Sequence, residues 1–366
     1  MATSKTPGRA RATGRPRTNT PPDNPFLALL HDVRGDLEAR LCGFLDAAVD
    51  QASGYGADLV AMVSAIRDLC LRGGKRLRPA LAIAGFRAAG SKRPLGPALD
   101  AGVALELLHA YLLIHDDWMD QDAIRRGGPT VHTILAKRYH SQQTGDASGI
   151  LAGDFAAALA LEALSRVDIP APRVPKVVAC FARMQQDVVF GQQLDLLGRA
   201  SDVEAVYALK TSSYSVQGPL NLGALLAGGG PKLLRALDQY ALPLGIAFQL
   251  RDDLLGAFGN VEHTGKSVGS DLRQGKRTAL VALALRRLRG SERAQLCRVL
   301  GNKKASMAQI GRTLDLLQER GIPELVETRI AELATSARVA LDAARLPGVA
   351  RELLVGAVDA LTERTV

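Results

Sequence analysis

Aromatic residues are scarce in this chain: Phe, Trp and Tyr make up 4% of 366 residues, although the hydrophobic class reaches 47%. The apolar content is therefore mostly Leu, Ala and Val, and Ala and Leu are the best helix formers. Alternating strand patterns of useful length are missing, as are internal repeats. Cysteine is limited to Cys42, Cys70, Cys180 and Cys297, far apart and without metal-ligand spacing. That argues against a disulfide framework and for reduced thiols in a cytoplasmic protein. No run reaches the eighteen or so unbroken apolar residues of a membrane span, so stable membrane insertion is not expected. The N-terminus carries charge without the apolar run of a secretory signal. Acids are absent from residues 1–20, where Lys5, Arg9, Arg11, Arg15 and Arg17 supply five of the nine net positive charges. A basic tail can touch nucleic acid or an anionic membrane. Its Pro, Gly, Thr and Arg content cannot build a core, so residues 1–24 are expected to be a disordered tail with no nucleic-acid partner.

Helical spacing of apolar residues fills most of the rest. It predicts helices over 26–50, 57–72, 76–90, 97–121, 130–138, 148–166, 173–197, 202–228, 233–257, 276–290, 305–319, 323–344 and 347–363. The 202–228 helix is expected to break near Pro219. Residues 125–129 and the Gly-rich 258–275 read as loops. The prediction is a single all-α domain over 25–366, with about ten or more helices.

Two of these helices end in acid. The apolar run 103–114 closes on His115-Asp116-Asp117-Trp118-Met119-Asp120. Asp116 and Asp120 are four apart and share a helix face. Acids are disfavoured at a helix C-terminus, so a solvated acidic end is a poor account of them. Magnesium takes oxygen ligands, often one or two carboxylates plus substrate phosphates. A second apolar helix closes on Phe248-Gln249-Leu250-Arg251-Asp252-Asp253. Two such ends facing each other would make an acidic mouth, and a diphosphate can meet carboxylates only through bridging cations. Basic segments accompany them: Gly73-Gly74-Lys75-Arg76-Leu77-Arg78-Pro79, Arg125-Arg126-Gly127-Gly128-Pro129, Lys210-Thr211, Thr264-Gly265-Lys266 and Gly275-Lys276-Arg277. Any one alone is usually a solvated charge. Glycines that admit a close backbone and Lys or Arg side chains together suit phosphate. His109, two turns before Asp116, lies on the same face.

These motifs, in this order, resemble the trans-type polyprenyl synthetases, the family of farnesyl and geranylgeranyl diphosphate synthases. The likeness runs over roughly residues 26–365 and includes Ala152-Gly153-Asp154 and Gly275-Lys276-Arg277-Thr278. It implies the isoprenoid synthase fold, an all-α bundle around a central cavity, usually homodimeric. It implies a magnesium-dependent prenyltransferase that joins an allylic diphosphate to isopentenyl diphosphate head to tail, with three magnesium ions per site. Carried over by position, Asp116 and Asp120 are ligands of two ions, with Asp117 in support, and Asp252 is the ligand of a third. Arg125, Lys210 and Lys266 hold the allylic diphosphate. Lys75, Arg78, His109 and Arg126 hold isopentenyl diphosphate. Thr211 and Gln249 stand near the allylic carbon, and Lys276 is a further cation of the mouth. The second acidic motif departs from the common pattern in ending on Gly256, which thins the surroundings of the third ion.

Rival classes leave different marks. A class I terpene cyclase shares the fold and the first acidic helix but lacks the cluster Lys75, Arg78, His109 and Arg126. A non-catalytic subunit of a heteromeric synthase would have lost acids from one motif, and both leading pairs are present here. Tyr111, five residues before Asp116, and its neighbours Leu112 and Leu108 are expected to set product length, with twenty-carbon geranylgeranyl diphosphate as the product. Ideal phase turns Tyr111 about 140° from Asp116, which favours an ordinary core residue unless the helix bends. Farnesyl or longer products are the alternatives.

Overall fold

The computed structural model describes residues 23–198, 202–259 and 269–363. Asn24 opens the first helix. Its side chain accepts from the Phe26 and Leu27 amides and caps α1 (Pro25–Ser53), with Pro25 in the first turn. The tail expected over 1–24 lies almost wholly outside the described residues. α2 (Ala57–Leu71), α3 (Leu77–Ala88) and α4 (Gly96–Met119) follow. α4 is buried nearly all round, as a helix apolar on every face must be.

The segment expected as a loop after α4 is a minimal hairpin, β1 (Ile124–Arg125) and β2 (Gly128–Pro129), paired antiparallel. Arg126 and Gly127 turn it with φ of 52° and 70°, the double positive φ of a two-residue hairpin turn. The adjacent arginines 125 and 126 consequently reach different partners. α5 (Val131–Tyr139), α6 (Gln142–Ser165) and α7 (Val174–Leu197) come next, then the short α8 (Val203–Tyr207). α6 starts six residues earlier than its apolar spacing predicts, because Ser141 caps it through the Thr144 amide.

The break expected near Pro219 lies earlier and takes another form. Residues Ala208–Gln217 are a π-helical segment, and Pro219 sits harmlessly in the first turn of α9 (Gly218–Ala227). Two glycines explain how neighbours close on this widened backbone. A Cβ on Gly191 of α7 would stand 2.3 Å from the Lys210 nitrogen. One on Gly245 of α10 (Pro231–Phe258) would stand 2.2 Å from Ser212 Oγ.

The remaining helices are α11 (Ser270–Gln274), α12 (Ala279–Arg287), α13 (Gly290–Val299), α14 (Met307–Glu319), α15 (Ile322–Ala343) and α16 (Gly348–Thr362). α13 was not expected. It is rich in Arg and Glu and buries only Leu296 and Val299, so its apolar face is too narrow to read. The core forms three apolar clusters: one uniting α1, α2, α4, α6 and α7, one around α3, α9, α10, α15 and α16, and one from the end of α10 to α15. α4 and α6 are long and apolar enough to cross a membrane; α4 packs mostly inside the bundle, whereas α6 buries one side and leaves apolar residues exposed on the other. The fold is the all-α bundle that the sequence predicts. Its central helices converge on one large cavity.

Candidate active site

The cavity holds about 1240 Å³. Its wall combines the ends of α4, α7 and α10 with the π segment, the loop before α3, the hairpin and the strand of chain around Lys276. Acids and bases share it, and several of the acids have a protein cation beside them. Asp116 lies 3.6 Å from Lys210 Nζ and 3.8 Å from Arg125, and Lys276 Nζ meets Asp120 Oδ2 at 2.5 Å. Burial alone would lower Lys210 and Lys276, but the Asp116, Asp195 and Asp120 charges outweigh it and raise both. Both lysines therefore stay cationic throughout the physiological range.

Asp117 is nearly solvent-free and does not line the cavity; its Oδ1 accepts from Arg125 Nε at 2.7 Å. Burial pushes its carboxyl up to about 6, against the opposing pull of Arg125. It holds Arg125 rather than facing a ligand. Asp252, Gln249 and Asp253 line the opposite wall from α10. Asp253 is buried and pushed up to about 7 by burial, despite bonds from Tyr207 and Gln249. Thr211 donates to Gln249 Oε1 at 2.6 Å. Lys266 lies outside the described residues.

The basic loop before α3 is built as a frame and a grip. Gly73 and Gly74 take φ of 99° and 135°, and Arg76 is left-handed at 53°. Arg76 does not face a ligand: it is buried against Glu106 and donates to the Cys70 carbonyl at 2.9 Å. Arg34 and Arg126 bind the carbonyls of Gly74 and Gly73. With its carbonyls tied back, the loop presents Lys75 and Arg78 to the cavity. Arg78 is itself pre-set, donating to Ser215 Oγ at 2.8 Å with its guanidinium 4.4 Å above the Tyr214 ring. His109 lines the same corner. Burial first, then the surrounding arginines, hold its imidazole well below the usual range, and its buried Nδ1 has no partner within the protein. A neutral ring with an unused polar atom among arginines suits an anionic ligand that brings its own hydrogen-bonding oxygens.

Tyr111 and Leu112 also reach the cavity wall. Ideal phase turned Tyr111 aside, but the cavity wraps broadly around α4, and its ring stacks edge-on against His115 at 5.0 Å, one turn nearer the acids. Leu108 is corrected: it is fully buried in the main core and does not line the cavity. Three wall residues escaped the sequence reading. Asp195 binds Lys210 at 2.5 Å, Gln192 donates to Asp116 at 3.3 Å, and Asp271 faces in from α11. Asp195 carried the same mark as the other acids, a carboxylate at the end of a long helix. α11 is too short for its pattern to be seen.

The charged and amide donors at the mouth are oxygens, and no cysteine lines the cavity, which is the set a hard divalent cation takes. Among the described residues no three His, Cys, Asp or Glu side chains are grouped to hold an ion by themselves. An ion here would therefore share substrate phosphate oxygens or water, as magnesium commonly does.

Comparison with known proteins agrees with this geometry. A crystal structure of geranylgeranyl pyrophosphate synthase from Corynebacterium glutamicum, complexed with isoprenyl diphosphate and magnesium, superposes with a TM-score of 0.86 at 36% identity, covering 92% of this chain and 99% of that one. A geranylgeranyl diphosphate synthase of Methanosarcina mazei is 34% identical over 289 residues, 78% of this chain and 84% of the relative. A short chain isoprenyl diphosphate synthase of Methanocaldococcus jannaschii is 33% identical over 266 residues, 70% and 76% respectively. Residues 60–317 match the polyprenyl synthetase family. Kinship on that scale settles the class: the chain belongs to the polyprenyl synthetase family and is a prenyltransferase that lengthens prenyl chains.

Proposed function

We propose that this enzyme condenses isopentenyl diphosphate with allylic diphosphates to make geranylgeranyl diphosphate, using magnesium. The observation that carries the reading is one cavity with two separate anion grips. One corner holds Lys75, Arg78, His109 and Arg126; the mouth holds Asp116 and Asp252 with Arg125, Lys210 and Lys276, and Asp120 stands just behind it, paired with Lys276. The first would seat isopentenyl diphosphate. At the second, Asp116 and Asp120 would hold two magnesium ions and Asp252 a third, with Asp117 fixing Arg125. Bound there, magnesium neutralises the allylic diphosphate and makes it a better leaving group.

The chain's own groups do the rest. Lys210, Arg125 and Lys276 hold the departing diphosphate, with Lys266 assigned to the same task on its motif. Thr211 and Gln249 flank the allylic carbon. The cation formed when the diphosphate leaves needs a dry, apolar wall, which Phe248, Leu112 and Leu113 provide. The double bond of isopentenyl diphosphate attacks it, and the proton released passes to the departed diphosphate. Tyr111 and Leu112 limit the length of the product.

Exposed apolar side chains on α6 and α7, among them Leu151, Leu161, Val178, Phe190 and Leu197, support a homodimer through that face. Free thiols at all four cysteines support a cytoplasmic setting. The test incubates purified protein and magnesium with isopentenyl diphosphate and five-, ten- or fifteen-carbon primers, reading product by mass spectrometry. A twenty-carbon product from each is expected; products stopping at fifteen carbons, or no turnover, would reject the reading. Sedimentation at micromolar protein should give twice the chain mass, and a monomer would reject the dimer.

A further inference from the structure

Tyr207 has no place in the scheme above, yet its hydroxyl lies at the junction of three elements. It ends α8, is buried to 7% exposure, and points between α10 and the start of α12. The backbone N–H of Ala279 donates to Tyr207 Oη at 2.8 Å. With that donor on the oxygen, the phenolic proton is directed to Asp253 Oδ2, its second partner.

Asp253 then has one oxygen left, and Gln249 Nε2 donates to it at 2.8 Å. An amide has its donor and acceptor on opposite sides, so fixing Nε2 on Asp253 turns Oε1 the other way. It accepts from Thr211 Oγ1 at 2.6 Å. Proton direction is therefore set from one end of the chain to the other: Ala279 to Tyr207 to Asp253, and Thr211 to Gln249 to Asp253. Gln249 and Thr211 line the cavity, while Ala279 does not. Asp253 is 6% exposed, and the neutral groups of Tyr207 and Gln249 donate to its two oxygens.

We propose that Tyr207 is a positioning residue of the allylic pocket, whose hydroxyl fixes Asp253 and thereby the direction in which Gln249 and Thr211 present their polar atoms to substrate. The inference rests on the reading of Gln249 and Thr211 as allylic-site residues. Without the hydroxyl, Asp253 Oδ2 loses its donor in a buried site. The Gln249 amide is then drawn to satisfy both oxygens and abandons Thr211. Phenylalanine preserves the ring and its packing, so the change confines itself to this chain of bonds. Ala279 offers a second, independent handle. It is the first residue of α12, where proline is tolerated because that N–H has no helical partner. Ala279→Pro therefore removes the donor to Tyr207 from the backbone side.

The test measures Tyr207→Phe, Ala279→Pro, Gln249→Ala and Tyr207→Phe/Gln249→Ala by unfolding midpoint, by steady-state kinetics in each substrate, and by calorimetric binding of a non-ionisable allylic thiodiphosphate. Tyr207→Phe should weaken probe binding and raise the allylic KM roughly tenfold, as loss of one hydrogen bond to a charged group does. The KM for isopentenyl diphosphate should stay near wild type. Ala279→Pro should move the allylic terms in the same direction by a smaller factor. In the Gln249→Ala background, Tyr207→Phe should add nothing, since its effect runs through that amide. Equal weakening of both substrates, or an unreduced effect in the Gln249→Ala background, would overturn the inference. A loss with Gln249→Ala but none with Tyr207→Phe or Ala279→Pro would overturn it while leaving the allylic site standing. A silent Gln249→Ala would overturn the allylic assignment itself, and the inference with it.

Discussion

At the scale of single residues, the site works by holding charges that cannot neutralise themselves in water. Asp116 carries the largest share, since it meets Lys210, Arg125 and Gln192 at once. Asp116→Ala should lower turnover at least roughly a hundredfold, about 2.7 kcal/mol of barrier, with the unfolding midpoint little changed. Near wild-type turnover in saturating magnesium would remove Asp116 from the metal site. Arg78 is pre-set by Ser215 and Tyr214, so Arg78→Ala should raise the isopentenyl diphosphate KM roughly tenfold or more while the allylic KM moves less. Equal changes in both constants would reject the division into two grips. His109 gives a pH signature. Its folded pKa is depressed, so below about 6.5 the unfolded chain binds a proton that the folded protein refuses. Stability from this group is full above that value and falls as pH drops through it. His109→Gln, which does not titrate, should flatten that part of the ligand-free stability profile. An unchanged slope between wild type and variant would show that His109 is already accessible to protons.

At the scale of elements, helices were legible where an apolar stripe is long and a proline stands in the first turn. α1, α7, α10 and α15 lie within a few residues of their expected bounds for that reason. What escaped depends on tertiary contact. α13 has too few buried positions to show a period, α11 is only five residues, and the π segment is chosen by its neighbours rather than by its own sequence. Lys210-Thr211 was recognisable as a pair of residue types, but not as the place where a helix widens. The close approach of Gly191 and Gly245 shows why the widening is held. Gly191→Ala should therefore cost about 1–3 kcal/mol by overpacking against Lys210, seen as a lower denaturant midpoint. The same variant should weaken allylic binding, because Lys210 must move with its backbone. An unaltered midpoint would mean that α7 and the π segment separate easily, and the argument for a glycine-set spacing would fail.

At the scale of the molecule, the cavity is the space left between α4, α7, the π segment and α10, with its charge confined to the mouth and one corner. The acids at two helix ends could be read from the chain because their positions contradict the helix dipole. Depth could not be read, since it depends on how far each side chain on α4 projects past its neighbours. In the proposed reaction, a growing prenyl chain anchored near Asp116 would extend along α4 towards earlier residues. Tyr111 lies five residues back, about 7–8 Å at 1.5 Å per residue; it lines the cavity, and its ring meets His115 edge-on at 5.0 Å. Leu112 and Leu113 line the same stretch, while Leu108 is sealed in the core and offers no further room. On the proposed reading the floor would be the Tyr111 ring, flanked by Leu112, with the buried core beneath it. Tyr111→Ala, primed with farnesyl diphosphate, should shift product beyond twenty carbons, with turnover of shorter primers retained. Because the core below is filled, the shift should be limited to one or two five-carbon units rather than an open-ended series. An unchanged distribution in a well-folded variant would move the limit to another wall of the cavity. Unbounded elongation would mean that the core below opens once the ring is gone.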